Sequence, residues 1–262
     1  MNGRFLARKL GQNFLMNRDI AAREAEHAYG KTVLEIGPGR GILTEELCAR
    51  AKKVIAVEKD GLLYSELKRN LNADNLELIK ADFLKLGAER LDPGSVDMVI
   101  ANIPYGISSE VMGWLSRNGK EALLCLQKEF VQRMLAKEGT REYSKLSVVC
   151  SLGFRITEIM DVPAGNFNPK PSVDSEIIFI KPLKSRMTPA QEAVISALMQ
   201  HKKKTIRSAL IDSRSHFGAT KAEMSAIASA LGGSDRRVFM LSPEELLSVA
   251  DSVSSLQKTK GS

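Results

Sequence analysis

Between residues 31 and 182, short and nearly continuous apolar runs alternate with longer stretches of helical period. Seven runs are predicted as strands: 32–36, 54–57, 76–79, 96–101, 122–126, 156–162 and 175–180. The first five are nearly continuous apolar runs rather than alternating ones, as strands are when helices cover both faces of a parallel sheet. The loop between the last two holds Pro163, Pro169 and Pro171 and no helical pattern, so these two are expected as an antiparallel pair at one edge. The fold class is therefore α/β: an open, doubly wound, seven-stranded, Rossmann-like sheet with a modified edge.

After Lys184 the strand signal stops. Thr188-Pro189-Ala190-Gln191, Thr220-Lys221-Ala222-Glu223 and Ser242-Pro243-Glu244-Glu245 each combine a hydroxyl cap with Glu or Gln three residues on, and Gly232-Gly233 ends the second helix. Three capped helices define a small all-helical domain. The expected division is 1–184 and 185–262.

Charge adds a partner to this picture. The chain carries a net +7. Residues 184–262 hold 12 basic and 7 acidic side chains, against 26 and 24 in residues 1–183. Arg4, Arg8, Lys9 and Arg18 all precede the first acid, Asp19, and the segment 199–210, read as a helix, carries Lys202, Lys203, Lys204 and Arg207. A solvated basic face is the plain reading; with the basic N-terminal arm, a phosphate-contacting surface is the stronger one. Cys48, Cys125 and Cys150 are an odd set in apolar surroundings, read as buried free thiols in a reducing cytoplasm. No apolar run reaches membrane-spanning length, and the start has no signal-peptide core. His27, His201 and His216 stand apart, so no metal site is expected, and no heptad calls for more than a monomer.

The candidate chemistry lies at the ends of the early strands. Glu35-Ile36-Gly37-Pro38-Gly39-Arg40-Gly41 follows the first strand directly, and Glu58 stands at the end of the second, placed to hold ribose hydroxyls. The glycines run GxGxG; the third glycine of a dinucleotide fingerprint would fall on Ile42. Glu35 beside the turn would repel phosphate but suits a cationic, amino-bearing ligand, unless it only braces the loop. S-adenosylmethionine has a sulfonium, an amino group and no phosphate. Asp82 can accept from an adenine amino group, with Phe83 flanking the ring, or serve as a simple helix cap.

The fourth strand runs into Asn102-Ile103-Pro104-Tyr105, which a doubly wound order places on the same crevice. An exocyclic adenine amine is a poor nucleophile because its lone pair is delocalised into the ring. The Asn102 side-chain carbonyl and a backbone carbonyl, of Ile103 or Pro104, can each accept one N–H and draw the lone pair toward a methyl donor. Tyr105 can stack on an extruded base. Phe167, held among prolines, can stack on its other face or anchor the loop in the core.

Taken together, Leu10-Gly11-Gln12-Asn13-Phe14-Leu15, Glu35-Ile36-Gly37-Pro38-Gly39, Asn102-Ile103-Pro104-Tyr105, Leu126-Gln127-Lys128-Glu129, Phe167-Asn168-Pro169-Lys170-Pro171 with Val173-Asp174-Ser175, and Lys204-Thr205-Ile206-Arg207 resemble the small-subunit ribosomal RNA adenine dimethyltransferases. The resemblance implies a class I methyltransferase sheet and a helical C-terminal domain. It implies S-adenosylmethionine-dependent N6-dimethylation of two adjacent adenosines in the 3′-terminal hairpin loop of small-subunit rRNA, within an immature subunit, and a part in ribosome biogenesis. Carried over by motif, Asn13 and Leu15 line the methionine end and Gln12 closes over the cofactor. Gly37 and Gly39 form the turn, Glu58 meets the ribose and Asp82 the adenine, and Asn102 stands at the rim shared with the target. Tyr105 and Phe167 would sandwich the base. Ile103 replaces the Leu of many members, an apolar exchange that keeps the backbone acceptor. Large-subunit RNA dimethyltransferases share the first half of the pattern. Two rival readings are an assembly factor that occupies immature subunits, with methylation secondary, and a DNA adenine methyltransferase. The latter usually has a second proline at the Ile103 position.

Overall fold

A computed structural model describes residues 13–87, 90–184, 187–231 and 235–260, the last five of these by backbone alone. The basic residues Arg4, Arg8 and Lys9, Gln12, and the Gly232-Gly233 stop lie outside the described residues.

The chain divides into two compact units. In the first, a seven-stranded sheet runs in the order β4-β3-β2-β5-β6-β9-β7. Its strands are β2 (Thr32–Ile36), β3 (Lys53–Glu58), β4 (Leu76–Lys80), β5 (Met98–Asn102), β6 (Glu121–Gln127), β7 (Phe154–Val162) and β9 (Ser175–Pro182). Every apolar run predicted as a strand is one, within three residues at each end. β2 pairs in parallel with both β3 and β5, and β6 continues the parallel set beyond β5. β9 enters antiparallel between β6 and β7, with Ala122 opposite Ile180. β1 (Phe14–Leu15) and β8 (Phe167–Asn168) make a separate two-stranded pair, Leu15 opposite Phe167. Burial explains the continuous apolar pattern: Val33, Leu34, Val54, Met98, Val99, Ile100 and Leu124 are all enclosed.

The chain extends the sheet from β2 through β3 to β4, then returns to the other side of β2 with β5. Strand order therefore reverses between β2 and β5, and ligands of open α/β sheets bind at the carboxyl ends there. Helices α1 (Arg18–Ala25), α2 (Ile42–Cys48), α3 (Gly61–Asn70), α4 (Ser108–Asn118) and α5 (Lys128–Met134) occupy the connections. Asp60 caps α3, its carboxylate accepting from the Leu62 and Leu63 amides.

The second unit takes Gln132–Phe154 together with the chain from Leu183 onward. A single division near residue 184 was expected; instead 132–154, with α6 (Lys145–Gly153), joins the C-terminal helices. Tyr143 and Val148 are the physical reason. Both are buried in the core formed by Val194, Leu198, Leu210, Met224, Leu246 and Val253, and the Tyr143 hydroxyl donates to the Leu241 carbonyl at 3.0 Å. The three expected capping boxes all form, at Thr188/Gln191, Thr220/Glu223 and Ser242/Glu245. They begin α7 (Pro189–Gln200), α9 (Lys221–Ala230) and α10 (Pro243–Lys260). A further helix, α8 (Ile206–Asp212), stands between.

The helix expected across 199–210 is broken. α7 ends at Gln200, and Thr205 starts α8 by accepting from the Ser208 amide. Lys202–Lys204 therefore sit in a turn. Lys202 donates to the Arg141 and Tyr143 carbonyls, and Lys204 pairs with Asp212 at 2.6 Å. Lys203, Lys204, Lys221 and Arg237 line one groove.

The three cysteines are free thiols. Burial pushes Cys150 up to about 12 and Cys48 to about 11, so neither supplies thiolate near neutrality. Among the described residues no helix is long and apolar enough to cross a membrane, and no three His, Cys, Asp or Glu side chains could hold a metal.

Candidate active site

At the carboxyl ends of β2, β3, β4 and β5 the first unit holds a cavity of about 630 Å³. Asn13, Gly37, Gly39, Glu58, Asp82, Asn102 and Pro104 all line it, so the structure brings together seven of the residues singled out by motif. Phe83, Ile36, Val57 and Leu62 supply apolar wall. This mix of apolar lining and a few directed polar groups is that of a small-molecule site.

Each polar group is placed by its element. Gly37 and Gly39 take φ of +70° and +59°, turning the chain back at the end of β2. A Cβ on Gly37 would lie 3.3 Å from the Pro104 ring, and one on Gly39 would lie 2.8 Å from the Phe14 ring. The turn therefore approaches both the β5 loop and β1 as closely as backbone alone can. Glu58 holds it in place. One carboxylate oxygen accepts from the Gly39 amide at 3.1 Å and the other from the Asp60 amide at 2.8 Å. Burial raises the Glu58 pKa above the ordinary carboxylate range. The acid placed by motif at the ribose thus also braces the glycine turn.

Asp82 is a cap, the second of the roles weighed for it, and its place on the cavity wall leaves the first open to it. It lines the cavity and caps the turn Phe83–Lys85 through the Leu84 amide. A 2.9 Å pair with Lys59 holds its carboxyl below the usual range. Phe83 stands edge-on to Trp114, ring centres 5.4 Å apart. Arg40 lies over the Phe14 ring at 5.2 Å, a cation–π contact on the segment that lines the cavity.

A second, small cavity of about 30 Å³ joins Asn13, Leu15, Glu35 and Asn102 behind the glycine turn, room for about one water-sized group. Glu35 is 2% exposed and one of its oxygens has no partner. Asn102 has the same character: its side-chain carbonyl oxygen is buried and unpartnered, while its NH₂ donates to Glu24 at 3.2 Å. Two buried acceptors lacking donors are what an ammonium-bearing, cationic ligand would satisfy. The glycine cradle and these orphaned acceptors fit S-adenosylmethionine.

In the second half of the motif, Ile103 is buried and the Pro104 carbonyl already accepts from the Ile107 amide at 3.1 Å. Tyr105 is fixed by a 2.9 Å hydrogen bond between its hydroxyl and that of the fully buried Ser175. Phe167 departs from the expected sandwich. It is 5% exposed, packs in the sheet's core with Leu15 and Val162, and does not line the large cavity. Pairing of β1 with β8 and the Met16–Asn166 backbone bond of 2.8 Å set its ring inward, as a loop anchor.

Sequence reasoning missed Glu24. It is 1% exposed, with one oxygen unpartnered. Burial pushes its pKa up to about 8, against the opposing effect of the Asn102 hydrogen bond. Burial likewise takes Glu35 to about 8, and the charges of Glu24 and Glu58 add to the rise. Both acids hold protons in the folded state that the unfolded chain releases near its ordinary carboxylate pKa. Their contribution to stability is complete below that value and is lost as pH rises toward about 8. Urea unfolding of the ligand-free protein should thus show stability declining from pH 5 to about 8. Glu24→Gln and Glu35→Gln should each flatten the slope; an unchanged slope in both would contradict the assignment.

A doubly wound sheet with a reversed strand inserted at its edge, a GxGxG turn braced by an acid, and Asn-x-Pro-Tyr on the same crevice define a class I S-adenosylmethionine-dependent methyltransferase. Comparison with known proteins narrows this class. The family model for ribosomal RNA adenine dimethylase matches residues 5–250. The chain belongs to that family. It is 40% identical over 248 residues to a Thermococcus gammatolerans protein named "Probable ribosomal RNA small subunit methyltransferase A", covering 92% of this chain and 87% of that one. The crystal structure of a dimethyladenosine transferase from Plasmodium falciparum superposes with a TM-score of 0.77 at 28% identity, covering 95% and 98% of the two chains. That of the 23S rRNA methyltransferase ErmE gives 0.62 at 27%, covering 92% and 100%.

Proposed function

We propose that this enzyme dimethylates N6 of two adjacent adenosines in the 3′-terminal hairpin loop of small-subunit rRNA, presented by an immature subunit in the cytoplasm. The observation that carries the reading is the buried, donor-free carbonyl oxygen of Asn102 at the rim of the large cavity. The small-subunit name of the Thermococcus relative supports the choice of RNA.

S-adenosylmethionine, when bound, supplies an electrophilic methyl and its own neutral leaving group. Gly37, Gly39, Glu58, Asp82 and Asn13 would hold it, with Glu35 offering its unpaired oxygen to positive charge. The chain's work is on the amine. Asn102 accepts one N–H through its side-chain oxygen. With one lone pair of the Pro104 carbonyl taken by Ile107, the Ile103 carbonyl accepts the other. The nitrogen lone pair leaves conjugation and points into the cavity, and the amine proton departs to water after transfer. Tyr105, held by Ser175, offers one stacking face to the extruded base. The reaction runs twice on each adenosine, because a monomethylated amine still has one N–H for Asn102.

The groove of Lys203, Lys204, Lys221 and Arg237 in the second unit fits RNA phosphates and would serve subunit assembly as well as substrate docking. The enzyme acts as a monomer. The deciding experiment is incubation with labelled S-adenosylmethionine and undermethylated small subunits, followed by mapping of modified nucleotides. Two neighbouring dimethyladenosines near the 3′ end are expected; label in large-subunit RNA or in DNA would overturn the reading. Complementation of subunit assembly by a catalytically dead variant would separate the assembly role from the chemistry.

A further inference from the structure

α1 presents a buried stripe of Ile20, Ala21, Glu24 and Ala25, and Glu24 is the one charged member. An acid on an enclosed helix face is costly to keep, and an apolar side chain of the same size would bury there without penalty. The fold gives Glu24 a partner 78 residues away: its carboxyl accepts from the Asn102 NH₂ at 3.2 Å. The helix that carries it is itself pinned. Asn17 caps its first turn and also donates to Asn166 at 2.9 Å.

An asparagine amide has a donor end and an acceptor end of nearly equal shape, and only hydrogen bonding decides which way it faces. An acceptor fixed on one side of Asn102 forces the NH₂ toward it and leaves the carbonyl oxygen on the other. That oxygen is the buried atom without a donor.

We infer that Glu24 is a positioning residue, whose carboxyl locks the Asn102 amide with its carbonyl oxygen presented to the substrate amine. The inference rests on the role proposed above for Asn102. The lock depends on an acceptor atom, not on charge, since the carbonyl oxygen of a protonated carboxyl accepts the same hydrogen bond. A Gln at 24 keeps an acceptor within reach, weakened as a lock because its own NH₂ can also face Asn102, and a Met, equally long and helix-compatible, removes it.

The test compares Glu24→Met, Glu24→Gln, Asn102→Ala and the Glu24→Met/Asn102→Ala double variant. The assay is methylation of undermethylated small subunits, with thermal unfolding alongside. Glu24→Met should lower kcat about tenfold or more, the scale of a misaligned reacting group. KM for S-adenosylmethionine and for subunits should stay within about threefold, as uniform binding is untouched. Its unfolding temperature should change little, because the gain from replacing a buried acid by an apolar side chain is offset by the Asn102 NH₂ left without its acceptor. Glu24→Gln should retain a clearly higher kcat than Glu24→Met, because it still offers Asn102 an acceptor. On the Asn102→Ala background, Glu24→Met should change kcat no further. Wild-type kcat in Glu24→Met with a depressed rate in Asn102→Ala would overturn the Glu24 inference alone. Equal losses in Met and Gln variants would assign the effect to charge and overturn it too, as would a Glu24→Met protein that cannot be recovered folded. An unimpaired Asn102→Ala would overturn both readings.

Discussion

Asn102→Ala should lower kcat for methyl transfer to RNA by about 10²–10³-fold, the usual loss when a single preorganised hydrogen-bonding group is removed from a reacting centre. Affinity for S-adenosylmethionine should fall by less, because Asn102 is only one of the residues facing it and Gly37, Gly39, Glu58 and Asp82 remain on the cavity wall. The fold survives. Asn102 ends β5, whose pairing with β6 is backbone-made and whose preceding residues Val99, Ile100 and Ala101 stay buried. The truncation frees one oxygen of Glu24, a cost of about 1–3 kcal/mol for a buried polar group left unpaired. Single-turnover transfer and thermal unfolding measured on the same preparation check both halves. A transfer rate near the native value would remove Asn102 from the chemistry.

The sheet was legible because its physics is local. A strand buried on both faces is apolar at nearly every position, and 54–57 and 98–101 satisfy that throughout, 32–36 all but at Thr32 and Glu35, without reference to the rest of the chain. The capping boxes were legible for the same reason, since Thr188 and Gln191 complete each other within one turn. The glycine turn, Glu58 and Asn102 could be assembled because strand order brings the carboxyl ends of β2, β3 and β5 together, an order that the doubly wound topology of alternating strands and helices supplies.

What was hidden depends on tertiary packing. Glu24 lies in a short helix whose apolar stripe is otherwise made of Ile and Ala, and an acid inside such a stripe is the signal that would have marked it. Phe167 shows the converse ambiguity. An aromatic among prolines reads alike whether it faces solvent or core, and only the pairing of β8 with β1 decides. The segment 132–154 carries Tyr143 and Val148, apolar enough for either core, so nothing within it said that it packs with helices beginning at 189. The lysines at 202–204 were read as a helix face because Thr205 is compatible with a helix interior and with a cap; the structure uses it as a cap.

Gly39→Ala tests the cradle itself, and Gly30→Ala is its internal control. Both glycines have positive φ, +59° and +70°. An alanine forced into that region costs about 1–2 kcal/mol at either position. The surroundings differ. Nothing lies within 4 Å of a Cβ on Gly30, whereas one on Gly39 would meet the Phe14 ring at 2.8 Å. Phe14 must then shift, and it lines the cavity and carries the Arg40 contact. The Gly39 amide also donates to Glu58, so displacement of the turn loosens the acid that braces it. Both variants should lose similar backbone stability, but only Gly39→Ala should weaken S-adenosylmethionine binding, by about tenfold or more for a loss of 1.4 kcal/mol or more. Calorimetric titration beside urea unfolding reads the two effects separately. Equal affinities in Gly39→Ala and Gly30→Ala would mean that close approach of this turn is not what shapes the site.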